Sequence, residues 1–325
     1  MRHNDQWHPA TVRAHRDLTP TVREFELRPE GGVKPWTVGS HLDVQVAIDG
    51  RPETRSYSLI DLPDAEVYRI AVKRADPGRG GSRWMWSLET GDELRIGEPN
   101  NHFELALGAP QYLLVAGGIG ITPLVGMATT LAERGADLRL LYAARSDAEF
   151  AYGDRLQASL GERFERFAGD ATQRIDLDAE IARLHPPGHL LVCGPIPLLA
   201  AAQAAWANAG RAPALLRFET FGNSGAHAAE AFWVKLPRHG VELEVPADRS
   251  LLDVLEAAGI ETLHDCRRGE CGLCAMDIVS AVGTIDHRDV FFSADEKRQN
   301  RRLCTCVSRV VGGGLVLDSS YRPDA

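Results

Sequence analysis

Three cysteines crowd into nine residues toward the C-terminus, and a fourth follows after a long gap: Cys266, Cys271, Cys274 and Cys304 are spaced C-x4-C-x2-C-x29-C. A segment so rich in sulfur is neither an ordinary strand nor an ordinary helix. Between His264 and Cys274 mostly polar residues and glycines separate the thiols, where a buried element would need apolar ones. Gly269 and Gly272 permit dihedrals and close approaches that a side chain would obstruct. Such a loop can wrap an inorganic core, and the spacing is the one in which four thiolates enclose a two-iron cluster. A chain built around that centre handles electrons one at a time.

Zinc is the competing reading, since four cysteines also make a closed tetrahedral site. Zinc knuckles and ribbons usually offer two short C-x2-4-C pairs, whereas this spacing is asymmetric, so the plant-type ferredoxin arrangement fits better. Arg267 and Arg268 offset the charge of an anionic cluster, and backbone N–H groups of the loop can donate to its sulfides. Cys306, two residues past Cys304, reads as a spare thiol in core packing. Cys193 lies far from the others.

At 325 residues the chain is long for a single core and suggests two or three domains. The first residues are polar with no leader-like apolar run, and no run reaches transmembrane length. A soluble cytoplasmic protein is expected, in which six cysteines favour metal ligation over disulfides. A formal charge of -9, with no long Lys/Arg stripe, argues against nucleic-acid binding.

Pattern divides the chain into three. Residues 1–107 alternate in short strand-like segments, such as 21–27 and 41–46, separated by polar, Gly and Pro clusters, which predicts a small antiparallel β-barrel. Residues 108–225 alternate apolar strands (111–116, 138–144, 189–193) with Ala- and Leu-rich helices, the pattern of a parallel α/β unit. A small, polar linker at 222–230 precedes a third domain, 231–325, with a hairpin (232–236 and 241–245), a helix capped by Ser250 and Asp253, and then the cysteine loop.

In the middle domain, Gly117-Gly118-Ile119-Gly120-Ile121-Thr122-Pro123 joins the first strand to a helix. Gly118 and Gly120 let backbone approach a dinucleotide pyrophosphate, Thr122 is expected to cap the helix, and Pro123 suits its first turn. Glycines also occur at any tight strand-to-helix turn. A second turn, Cys193-Gly194-Pro195, strengthens the nucleotide reading because both crests belong on the carboxyl edge of one sheet. Arg145 and Ser146, after the second strand, are candidates for the adenosine ribose or its phosphate, and with no basic cluster beside them NADH is preferred to NADPH. Cys193 fills the core or lies under a nicotinamide.

In the first domain, alternation in Arg55-Ser56-Tyr57-Ser58 sets Arg55 and Tyr57 on one face. Tyr57 can stack on a flavin, Arg55 neutralise its phosphate and Ser58 reach the reactive ring edge; an ordinary barrel strand is the bland alternative. Val72 and Lys73 end another strand, and Gly80, Gly81 and Ser82 supply a possible phosphate nest. Sequence alone does not bring these segments together.

In this order, Arg55-Ser56-Tyr57-Ser58, Gly80-Gly81-Ser82, the 117–123 glycine turn, Cys193-Gly194-Pro195 and the four cysteines resemble the phthalate dioxygenase reductase family, which includes reductases of vanillate-type aromatic O-demethylases. The resemblance covers nearly the whole chain. It implies a multidomain protein: an FMN-binding barrel, an NADH domain and a C-terminal β-grasp, plant-type ferredoxin domain. It also implies that Glu219 and Phe221 lie near the flavin and nicotinamide, and that FMN is held in preference to FAD.

A hydride carries two electrons and the cluster takes one, so a flavin is the required converter. Catalytic roles accordingly fall to Ser58, Cys193 and Glu219. No two-His-one-carboxylate site stands out for oxygenating a substrate. The expected recipient is a separate Rieske-type terminal oxygenase, with a haem monooxygenase as the alternative acceptor and a monomer as the default state. Arg267, Arg268 and Glu270 are candidates for recognising that partner. A non-enzymatic iron–sulfur carrier leaves the nucleotide and flavin motifs without a purpose.

Overall fold

The computed structural model describes residues 7–75, 78, 80–169, 174–221 and 227–319. The polar start of the chain (1–6) and positions 222–226 of the expected linker lie outside them. The chain forms two compact units, Met1–Glu219 and Thr220–Ala325.

The first sheet contains β1 (His8–Thr19), β2 (Val22–Pro29), β3 (Ser40–Ile48), β4 (Arg51–Ser58), β5 (Tyr68–Lys73), β6 (Glu93–Ile96) and β7 (Asn100–Asn101). Its order is β4-β3-β6-β1-β2-β5, with β7 beside β3. The strand pairs are antiparallel, and a bridge between Leu59 and Ile70 links the residue after β4 to β5, the other end of the path. Alternation decides which face is buried: Leu42, Val44 and Val46 of β3 point inward with Val12, Phe25 and Ile70. Each such side chain, fully buried, stabilises the fold by about 1.5–3 kcal/mol at most. The short helix α1 (Gly81–Trp86), not foreseen in the sequence, adds Met85 to that core.

The second sheet is β8 (Tyr112–Gly117), β9 (Leu138–Ala144), β10 (Phe164–Ala168), β11 (His189–Gly194) and β12 (Leu216–Thr220), in the order β10-β9-β8-β11-β12. Pairing along β10-β9-β8-β11 is parallel. Every residue of β8 is buried, as a central strand covered on both faces requires. The chain returns through α2 (Ile121–Glu133), α3 (Gly153–Leu160), α4 (Leu177–Arg183) and α5 (Ile196–Asn208). Strand order reverses between β8 and β11, and the carboxyl ends of such neighbours are where doubly wound sheets bind ligands.

One expectation fails here. A 3-10 turn, Gly118–Gly120, starts α2 at Ile121, with Gly120 at the N-cap and no side-chain cap. Thr122 is therefore already inside the helix, and its hydroxyl donates back to the Ile119 carbonyl at 2.9 Å.

The third sheet is β13 (Phe232–Leu236), β14 (Val241–Val245), β15 (Ala275–Asp286), β16 (Arg302–Cys304) and β17 (Arg309–Asp318), ordered β14-β13-β17-β15-β16. The expected hairpin, β13–β14, is antiparallel, whereas β13–β17 is parallel. Helix α6 (Leu251–Ala257) opens with a capping box: Ser250 accepts from the Asp253 amide and Asp253 accepts from the Ser250 amide. Its Leu251 and Leu255 pack with Phe232, Val234, Leu315 and Leu317. The remaining helix, α7 (Ala294–Gln299), precedes β16. Among the described residues no helix is long and apolar enough to cross a membrane.

Candidate functional site

Ser58 ends β4, Cys193 lies near the end of β11 and Glu219 near the end of β12, and folding joins them. Ser58 Oγ lies 3.4 Å and Cys193 Sγ 4.0 Å from the same Glu219 oxygen. All three are buried, with Glu219 only 1% exposed. The distances are long for hydrogen bonds to a carboxylate.

The two glycine-bearing crests also meet. Cys193 pairs with Ala116 in the parallel ladder. A Cβ on Gly120 would come within 2.1 Å of the Cys193 carbonyl oxygen, so only glycine allows the turns to touch. Gly118, at φ 56°, has nothing within 4 Å of its Cβ direction, an open cradle that fits a pyrophosphate. Gly194 is buried, while Pro123 sits in the first turn of α2 and Pro195 at the start of α5. Arg145 is exposed and Ser146 half-buried just beyond β9, and Phe221 is half-buried just beyond β12.

In the first sheet the structure supplies what spacing could not. The Arg55 side chain packs on Gly81, where an added Cβ would lie 2.7 Å from Nε, so the arginine and the glycine loop form one cradle. Arg55 is held by Glu53 at 2.7 Å and by the Thr54 carbonyl at 2.8 Å. Gly80 precedes α1 at a positive φ of 83°, and Ser82 Oγ accepts the Ala75 amide at 3.1 Å. A half-buried guanidinium beside a glycine loop suits a phosphate monoester. Tyr57 packs against the first core, and burial pushes its phenol far above the ordinary value, so it remains protonated.

Val72 and Lys73 are held by partners that no sequence motif named. Val72 is buried and its carbonyl accepts Trp86 Nε1 at 3.0 Å. The Lys73 ammonium is engaged by Glu149 at 2.9 Å, which directs its charge toward the second sheet. Glu149 carried no motif that would have drawn attention to it.

The cysteine loop folds around its own sulfur. Amides of Arg268, Glu270 and Cys271 all donate to Cys266 Sγ at 3.4 Å, a set of donors suited to a thiolate. Gly272, at φ 72°, lies under the Phe291 ring, where a Cβ would be 2.3 Å away. The thiols associate in pairs. A bond with Cys266 pulls the Cys271 thiol below its ordinary pKa, and bonds with Cys304 and then Cys306 pull Cys274 down further. Cys274 Sγ lies 3.2 Å from Cys306 Sγ, and Cys306, expected to pack in the core, is buried in an apolar cluster with Leu252, Phe292 and Val307. Among the described residues no three His, Cys, Asp or Glu close around a single ion.

The expected recognition residues are less available than their charge suggests. Arg268 is 8% exposed and lies 3.6 Å from Glu270, while Arg267 is held by Asp253 and Glu256 of α6.

Residues 114–204 match the oxidoreductase NAD-binding domain family, and residues 234–311 match the 2Fe-2S iron-sulfur cluster binding domain family. The chain is 39% identical over 310 residues to a heme-dependent oxidative N-demethylase beta subunit of Ectopseudomonas mendocina, covering 94% of this chain and 97% of that one. It is 36% identical over 318 residues to the phthalate dioxygenase reductase of Burkholderia cepacia, covering 94% and 96%. The chain belongs to the phthalate dioxygenase reductase family. A solved phthalate dioxygenase reductase, described as a modular structure for electron transfer from pyridine nucleotides to [2Fe-2S], superposes with a TM-score of 0.80 at 33% identity, covering 97% of this chain and 98% of that one. Like other members of the phthalate dioxygenase reductase family, this protein is an NAD(H)- and [2Fe-2S]-binding oxidoreductase, with an N-terminal flavin-binding β domain, an NAD-binding domain and a C-terminal ferredoxin-like domain.

Proposed function

We propose that this reductase carries electrons from NADH through FMN and the [2Fe-2S] cluster to a separate Rieske-type terminal oxygenase or O-demethylase acting on an aromatic compound. The observation that carries the reading is the sharing of Glu219 by Ser58 and Cys193, which joins the expected flavin edge and the expected nicotinamide crest in one buried group. The three domains are read as 1–107, a barrel closed by the Leu59–Ile70 bridge; 108–225, the NADH domain; and 231–325, a β-grasp ferredoxin domain of plant type.

Each residue then has a task. Arg55, with Gly80, Gly81 and Ser82, binds the terminal phosphate of FMN, and Tyr57 and Val72 border its ring. Gly118 and Gly120, with Pro123 at the helix start, accept the dinucleotide pyrophosphate, while Arg145 and Ser146 bind the ribose end. Cys193, Gly194 and Pro195 shape the floor under the nicotinamide. Ser58 and Glu219 orient the reacting rings and exclude water; hydride transfer itself needs no general base. A bound flavin would accept the electron pair of one hydride and release the electrons singly.

Cys266 and Cys271 would hold one iron and Cys274 the other. For the fourth thiolate the spacing names Cys304, and the 3.2 Å contact between Cys274 and Cys306 favours Cys306 as a second reading. A haem protein is the second candidate acceptor, favoured by the 39% identity to a subunit of a heme-dependent demethylase.

Visible spectra before and after anaerobic NADH addition test the route. Bleaching of both flavin and iron–sulfur bands is expected, and an iron centre that stays oxidised while NADH is consumed overturns it. Chromatography of released flavin distinguishes FMN from FAD, and reoxidation by a Rieske oxygenase against a haem oxygenase identifies the acceptor.

A further inference from the structure

Glu149, Tyr152 and Arg155 fall within seven residues after β9, and all three reach residues of the first sheet or its following turn. Glu149 Oε2 accepts Thr21 Oγ1 at 2.6 Å and Lys73 Nζ at 2.9 Å. Tyr152 donates its phenol to Glu24 Oε2 at 2.6 Å, and Arg16 holds the other oxygen of that carboxylate at 2.7 Å. Arg155 forks onto both oxygens of Asp61, one arm at 2.9 Å. The pattern is reciprocal: two carboxylates of the first half are met by donors of the second, and one carboxylate of the second by donors of the first.

The contacts are built, not incidental. Glu24 and Tyr152 are 4% and 7% exposed, and the bonds involve ionised partners, which roughly doubles their strength. Tyr152 adopts φ 60°, a left-handed conformation that a residue with a Cβ takes at a cost, which its buried phenol bond offsets. Burial pushes Glu149 up, but the bonds from Thr21 and Lys73 outweigh it and hold the carboxyl below its ordinary range.

Position gives these contacts their meaning. On one side they fall at the start of β2, the end of β5 and the turn after β4, next to the strands that carry Val72 and Ser58. On the other they directly follow Arg145 and Ser146. Accepting the electron-transfer reading above, on which this inference rests, we propose that residues 149–155 form a latch that sets the separation of the flavin and nucleotide sheets, with Glu149 and Tyr152 as positioning residues for hydride transfer. Reactions between two held rings lose about a hundredfold for a misplacement near 1 Å, so a latch remote from the reacting atoms governs the rate.

The test uses full-length, cofactor-loaded protein with Glu149→Gln, Tyr152→Phe and the conservative Glu149→Asp. In anaerobic rapid mixing with NADH, the limiting rate of flavin reduction should fall at least tenfold in the first two and recover in part in the third. The NADH dissociation constant should change less than threefold, and the isotope effect with 4-deuterated NADH should rise. Flavin and iron contents should match wild type, while amides of β2 and of residues 149–155 exchange faster. If Glu149→Gln loses flavin through Lys73, Tyr152→Phe carries the comparison. Faster exchange with unchanged rate and isotope effect overturns the latch alone; a wild type that does not oxidise NADH overturns the electron-transfer reading, and the latch with it.

Discussion

Ser58 Oγ and Cys193 Sγ converge on one oxygen of Glu219, although the serine comes from an antiparallel strand and the cysteine from a parallel one. On the proposed route Glu219 aligns two bound rings. Glu219→Ala should therefore lower the rate of flavin reduction by NADH by about ten- to a hundredfold, with flavin retained, as expected for lost alignment. Glu219→Gln, which keeps an oxygen acceptor, should lose less. Anaerobic rapid mixing measures both, and equal rates for the alanine variant and wild type would remove Glu219 from the site.

The Arg55–Gly81 contact predicts where flavin affinity resides. Replacing a charge-assisted phosphate partner typically costs about 1.5–3 kcal/mol, so Arg55→Ala should weaken FMN binding by roughly ten- to a hundredfold. Fluorescence titration of the flavin-stripped protein with FMN, and with riboflavin as a phosphate-free control, reads this directly. Riboflavin should bind both forms alike.

Much of this was legible in the sequence where local pattern and chemistry coincide. Strand β9 and the β13–β14 hairpin fall on their expected residues because apolar alternation and turn residues specify them locally. The crests at Gly118 and Cys193 were legible as a pair because a parallel sheet has one carboxyl edge. Helix α1 was hidden by its six-residue length and its position inside a glycine-rich turn. The Lys73–Glu149 pair was hidden for a different reason: the partners are 76 residues apart, and no local rule links them. The contact between Cys274 and Cys306 was not legible because spacing counts residues along the chain and does not see sulfur meeting sulfur across a turn.

The capping box of α6 yields a stability prediction free of redox chemistry. Ser250→Ala leaves the Asp253 amide without its acceptor, now at 3.1 Å, and should cost about 1 kcal/mol. Serine is the right target because Asp253 also holds Arg267 at 3.1 Å, so its loss would disturb the cysteine loop as well. Thermal bleaching of the iron–sulfur bands should shift to lower temperature in Ser250→Ala, with spectral shape unchanged. An unshifted transition would mean that α6 does not limit the stability of the cysteine domain.

Cys304 and Cys306 make opposite predictions about the cluster. Cys304 ends β16 in register with Ala275 and is fully buried, a position fixed by the ladder. Cys306 lies beyond the strand in a turn tied by the Thr305 amide to the Cys274 carbonyl at 3.2 Å, and its sulfur is 3.2 Å from that of Cys274. Both sulfurs approach Cys274, Cys304 foremost, and the spacing names Cys304 as the fourth ligand. Cys304→Ser should therefore lose the visible charge-transfer bands, the paramagnetic signal of the reduced protein and its bound iron. Cys306→Ser should keep all three with small spectral shifts, since a thiol beside the ligands tunes the site without holding it. The reverse pattern would make Cys306 the fourth ligand, and in either case NADH should still reduce the flavin of the cluster-free variant.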